Sequence, residues 1–237
     1  MKREKISTVD RIFEKKHLQK FKESRHNVLF VYDRDGKGKQ EILRGVVHVS
    51  DYNRDVVLAA LQEDLLKFER LLRQYLILSK KKNEDMLGYI KYKAKKNSYF
   101  ADKLKRAESE KGQEAIKKLG LFQTFDLRDL LFFIQSSRNK VPLTLEEDAP
   151  ERLGELRNLA MHAKNTIELE EERLYSTDSL ARLLDDLHLL KKEYLNAAAK
   201  LEALPESRDM LRARNRATLD MIHKQGVSSL VHLLTNV

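Results

Sequence analysis

Apolar positions recur along most of this chain at spacings of three and four, the period of helices buried on one face. The longest stripe, Val57, Leu58, Leu61, Leu65, Phe68, Leu72, Tyr75 and Leu76, predicts a helix of about thirty residues after Asp51. Residues 83–118 are basic, with Tyr89, Tyr92, Tyr99 and Phe100 interleaved, and read as shorter helices. Residues 125–135 form a compact apolar helix with Thr124 or Asp126 as its cap. Asp148, Ala149, Pro150 and Glu151 mark another start, with proline in the first turn and acids nearby. That helix carries Leu153, Leu156, Ala160 and Ala163. From 179 to 204 the repeat is clearest: Leu180, Leu183, Leu187, Leu190, Tyr194, Ala197, Leu201 and Leu204 alternate by three and four, as in a heptad seam, until Pro205. Two further helices, about 206–224 and 227–234, flank Gly226.

Only one stretch reads as β: residues 28–32 and 42–49, joined by an Asp- and Gly-rich turn at 33–38. The turn lacks the later ligands and the terminal Glu of a calcium loop, so it reads as a hairpin. An amphipathic helix precedes it, with Ser7 or Thr8 as cap and Val9, Ile12, Phe13 and Leu18 on its apolar face. The fold class is therefore mainly α: a small α/β segment with a β-hairpin at 1–55, then a helical bundle at 56–237.

Composition narrows the function classes. Over 237 residues, 35% are charged, with 8 Gly, 3 Pro and no Cys, which excludes disulfide scaffolds and thiolate zinc sites. The N-terminus has no apolar core like that of a secretory signal, and no apolar run approaches the roughly 20 residues that span a bilayer. A cytoplasmic protein without a membrane partner is expected. The net charge of +9 is uneven: residues 1–54 carry +6 and residues 80–118 carry +7, leaving the rest acidic. Two basic regions on a near-neutral body point to a polyanion partner, nucleic acid before membrane, or to a lysine-rich solvated surface. In the second region Lys91, Tyr92, Lys93, Lys95 and Lys96 combine phosphate neutralisers with a stacking ring, as single-stranded RNA binding requires. The same pattern also fits a helix that buries tyrosines and solvates lysines.

Gly-rich phosphate loops, zinc-protease motifs and serine-hydrolase elbows are all missing from the sequence, and the seven His form no i,i+4 pair. No metal or cofactor is expected. Chemistry concentrates instead at residues 155–162. At about 100° per residue, Leu156, Ala160 and Ala163 share one helix face. Asn158 and His162 lie on the other, and Arg157 borders the apolar stripe. His exchanges protons near neutral pH, and Arg offers a planar donor fork to a phosphoryl group. Similar Arg-to-His spacings occur at Arg11 with His17, Arg182 with His188 and Arg216 with His223, but only Arg157 is followed by a small polar residue.

Leu156, Arg157, Asn158, Leu159, Ala160, Met161 and His162 resemble the Arg-polar-x3-His signature of the HEPN superfamily, helical bundles that include many ribonucleases. The earlier Phe68, Glu69, Arg70, Leu71, Leu72 and Arg73 are similar to that family's first helix, and a Leu-rich helix follows the motif. The resemblance covers roughly residues 56–204. It implies a metal-independent endoribonuclease that works as a homodimer, with Arg157 and His162 catalytic and Asn158 in support. Residues 28–36 and 45–51 resemble the strand–turn–strand and Gly-x-x-Thr-x-x-Asp end of a CBS domain. There Asp51 stands where the family contacts ribose, and His48 replaces the usual Thr. The expectation is an RNA-cleaving enzyme of the toxin or defence-effector kind, restrained by an antitoxin or regulatory partner. The alternatives are an inactive HEPN-type module that binds nucleic acid or protein, and a nucleotide-responsive regulator.

Overall fold

In a computed structural model of the chain, which describes residues 5–7, 16–24, 26–34, 41–162, 167 and 176–205, a small mixed sheet leads into a mainly helical body. Strand β1 (Lys5–Ser7) is followed by helix α1 (Lys16–Glu23), strand β2 (Val28–Arg34) and strand β3 (Glu41–His48). The centre strand β2 pairs parallel with β1 and antiparallel with β3. Leu29 lies opposite Val47 and Phe30 opposite Val46; the register then slips at Arg44, so that Tyr32 faces Leu43. An extra residue of this kind is a β-bulge, which bends and twists the edge strand.

One feature differs from the sequence pattern. β1 is an additional strand, too short to show alternation. Ser7 belongs to that strand, and α1 is described from Lys16, with Leu18 half-buried on it. Thr8, Val9, Ile12 and Phe13, and both helices expected beyond residue 205, lie outside the described residues.

After a 3-10 turn at Val49–Asn53, helix α2 (Asp55–Leu78) forms the spine. Its Leu58, Leu61, Leu65, Phe68, Leu72, Tyr75 and Leu76 are all buried, as the stripe predicts. Burying each large apolar side chain is worth about 1.5–3 kcal/mol, so the stripe dictates how α2 sits. The basic stretch folds as α3 (Asn83–Ala94), α4 (Ser98–Glu108) and α5 (Glu110–Leu119). Asn97 caps α4 and Ser109 caps α5 through side-chain oxygens. The corner between α4 and α5 is so tight that a Cβ on Gly112 would fall 2.0 Å from the Arg106 carbonyl oxygen.

A short α6 (Leu121–Thr124) precedes α7 (Leu127–Gln135), whose cap is Asp126 in a reciprocal box with Asp129. Helix α8 (Ala149–Met161) has Pro150 in its first turn, and α9 (Thr177–Ala203) is capped by Ser176. α2 packs against α7, α8 and α9, and α8 also packs against both of the other two. One apolar core joins Phe21, Leu29, Val49 and Tyr52 to the helices, with Phe21 edge-on to Tyr52 at 6.1 Å.

α9 follows a straight-helix period more closely than a heptad. Leu180, Leu183, Leu184, Leu190, Ala197 and Leu201 are buried with Leu189 and Glu193, whereas Leu187 and Leu204 are half-buried and Tyr194 is exposed beside the Phe68 ring. A strict seven-residue stripe drifts around a helix that does not supercoil. Among the described residues no helix is long and apolar enough to cross a membrane.

Candidate functional site

α8 buries Leu153, Leu156 and Ala160 and turns Asn158 and His162 outward. The His162 backbone N–H donates to the Asn158 carbonyl at 3.1 Å, so the imidazole stands just beyond the last helical residue. One side chain holds this end of α8 and another holds Ile167 beyond it. Gln62 of α2 donates Nε2 to the Ala160 carbonyl at 2.6 Å. Asn53 clasps buried Ile167, donating to its carbonyl and accepting its N–H, both at 2.9 Å. Ile167 is thereby pinned to the turn that follows the sheet.

Arg157 lies on the flank of α8 that faces α2. Its side chain is 25% exposed, and its Nε is 4.0 Å from Oε2 of Glu69, whose side chain is only 4% exposed. Arg73, one turn further along α2, donates Nη2 to the other Glu69 oxygen. The same guanidinium donates Nε to the Phe122 carbonyl at 2.6 Å and Nη2 to the Phe125 carbonyl at 2.8 Å. The three predicted residues thus stand together at one end of α8: a guanidinium rooted against a buried anion, with an exposed amide and imidazole beside it.

A second ionic cluster lies nearby on α4 and α7. Lys103 Nζ donates to Asp129 at 2.6 Å and to Asp126 at 3.0 Å, and the Tyr99 hydroxyl donates to Asp129 at 2.8 Å. Burial, then the Asp126 charge, pushes Asp129 up to about 6 despite Lys103. Burial also raises Asp126, but Lys103 and the reciprocal cap outweigh it and leave that carboxyl below its ordinary value. The Arg128 guanidinium stacks over Tyr99 at 5.1 Å and Phe132 at 5.6 Å. Its stem crosses Gly154 of α8, where an added Cβ would meet Arg128 Cγ at 2.8 Å.

No family model, curated protein or solved structure matches the chain. Arg157 presents N–H donors, Asn158 a donor and an acceptor, and His162 a group able to take or give a proton. Together they suit an anionic substrate undergoing proton transfer. Among the described residues, no group of three or more His, Asp or Glu side chains is placed to hold a metal ion.

The partners of the basic stretch lie on α4 and α7 and in the turn after α7. Tyr89 is buried among Phe100 and Phe133, with Lys93 Nζ 5.9 Å from its ring. Lys91 pairs with Glu108 at 3.3 Å, and Lys95 and Lys96 are exposed at the end of α3. Tyr92 is exposed and carries the Arg138 guanidinium 4.6 Å from its ring centroid. Arg138 follows α7, whose Gln135 donates to the Glu146 and Glu147 carbonyls just before α8. Tyr92 is thus linked through Arg138 and the end of α7 to the segment before α8, whose 13 residues run about 20 Å to the end that carries His162.

Asp51 shapes its own turn: one oxygen accepts the His48 N–H at 2.8 Å and the other lies 3.8 Å from Arg54. Gln62, Asn53 and Arg138 carry no sign of these roles in the sequence, and Glu69 stands there only within the segment likened to a first helix. Glu69 alone carries a signal, being an acid four residues after Leu65 on an otherwise apolar face.

Proposed function

We infer that the protein is a homodimeric endoribonuclease that cuts RNA through attack of the 2′-hydroxyl on the adjacent phosphate. One observation carries this reading: Arg157 is rooted in the core beside an exposed Asn158 and His162 on the same turn and a half of α8. The likeness of that segment to the HEPN signature, between a long preceding helix and a long following one, supports it.

In the proposed reaction the bond from O2′ to phosphorus forms as the bond from phosphorus to O5′ breaks. One His162 of the dimer accepts the 2′-hydroxyl proton, and the other protonates the departing 5′-oxygen. Arg157 stabilises the charge that grows on the equatorial phosphoryl oxygens, with a fork geometry that an ammonium lacks. Asn158 donates to the phosphate or orients the imidazole. Two copies of α8 facing each other across a two-fold axis supply the paired groups. Purified protein incubated with RNA should yield fragments ending in 2′,3′-cyclic phosphate, while DNA of the same sequence stays intact. RNA bound without cleavage, or DNA cut equally well, would contradict the reading, as would a strict monomer by light scattering at micromolar concentration.

A further inference from the structure

α2 carries an acid where its apolar stripe has room for another leucine. Glu69 follows Leu65 and precedes Arg73 by four residues each, and it is 3% exposed. A buried carboxylate is costly unless it is paired and hydrogen-bonded. Arg73 satisfies one oxygen and is itself tied to the Phe122 and Phe125 carbonyls, so the anion has a fixed position. The other oxygen, Oε2, is buried without a hydrogen bond, as is Arg157 Nε, and the two face each other at 4.0 Å. The exposed quarter of the Arg157 side chain is what remains for a ligand.

We propose that Glu69 is the positioning residue of this site: held by Arg73, it draws the Arg157 Nε edge inward and directs the rest of the guanidinium at a phosphoryl group beside Asn158 and His162. The consequence for turnover rests on the ribonuclease reading; the placement of Arg157 does not. The two are separated by observing Arg157 directly in the 15N-labelled full-length chain, its Nε–Hε resonance being identified by its loss in Arg157→Lys. In the parent protein this proton should exchange with water at least about tenfold more slowly than that of Arg54, whose side chain is 69% exposed. In Glu69→Gln it should approach the Arg54 rate. The same variant should lose about 10–100-fold in kcat with KM little changed, because a displaced guanidinium still meets substrate but no longer fits the transition state. An Arg157 proton as labile as that of Arg54 in the parent overturns the proposal even if Glu69→Gln fails to fold. Unchanged slow exchange in folded Glu69→Gln overturns it too. Slow, Glu69-dependent exchange in a protein that cuts no RNA would uphold the positioning role and reject the ribonuclease reading.

Discussion

Two buried carboxylates, Asp129 and Glu69, are handled in opposite ways. Asp129 is saturated: Oδ1 accepts from Tyr99, and Oδ2 from Lys103 and the Asp126 backbone. Glu69 is half satisfied, with Arg73 on one oxygen and only the distant Nε of Arg157 facing the other. The saturated cluster rivets α4 to the start of α7 and has nothing left for a ligand. The unsaturated one turns residual negative charge on a partly exposed guanidinium. A buried ion group that closes on itself serves the fold, whereas one that stops short of closing leaves a charged group poised for something else.

The largest expected contrast in stability comes from removing one cation on each side. Lys103→Met strands two carboxylates and should cost about 3–5 kcal/mol in denaturant unfolding. Arg157→Gln leaves Glu69 its Arg73 hydrogen bond and should cost about 1 kcal/mol or less. Equal losses would show that the two carboxylates depend on their cations alike.

The Asp129 cluster should also show in the pH dependence of stability. Its carboxyl, raised from 3.8 to about 6, keeps a proton in the folded chain that the unfolded chain has released. Stability from that proton is full below the ordinary carboxylate value and is lost as pH rises through about 6. Thermal melts of the parent protein against Asp129→Asn should therefore diverge, the parent gaining relative Tm between about pH 7 and about pH 5. Parallel curves would show that Asp129 releases its proton equally in both states.

A smaller effect is expected at Gly154, where α8 passes the Arg128 stem. Alanine normally improves a helix interior by about 1 kcal/mol, but here its Cβ would displace a side chain stacked on Tyr99 and Phe132. Gly154→Ala should be neutral to about 2 kcal/mol destabilising by thermal unfolding, where stabilisation would show that Arg128 shifts freely.

The smallest stability effect belongs to the surface. Replacing Lys91, Lys93, Lys95 and Lys96 by Gln should alter stability by about 0.5 kcal/mol or less. If those lysines meet RNA phosphates, the slope of log affinity on log salt should flatten by up to about 0.7 per lost contact. An unchanged slope would leave them a solvated helix face.

What the sequence made legible follows from where its signals are strong. The stripe from Val57 to Leu76 foretold α2 because every stripe residue but Val57 is buried. The Asp126 cap and the Pro150 start announced α7 and α8 for local reasons that need no tertiary context. β1 escaped notice because three residues show no period, and its partner lies more than twenty positions away. Arg157, Asn158 and His162 were legible as a group because one helix turn and a half sets their relation. Glu69 and Arg138 were not, since their meaning depends on which helices touch: Glu69 on α8 lying across α2, Arg138 on Tyr92 of α3.

The most direct test of the central claim is RNA turnover in excess EDTA by the parent, His162→Ala and Arg157→Lys, each checked for folding by circular dichroism melts. The account predicts cleavage by the parent, a loss of about 100-fold or more in both variants, and melts within a few degrees of the parent. His188→Ala, on the exposed side of α9, should keep full activity. A folded His162→Ala that cuts RNA as fast as the parent would contradict the account.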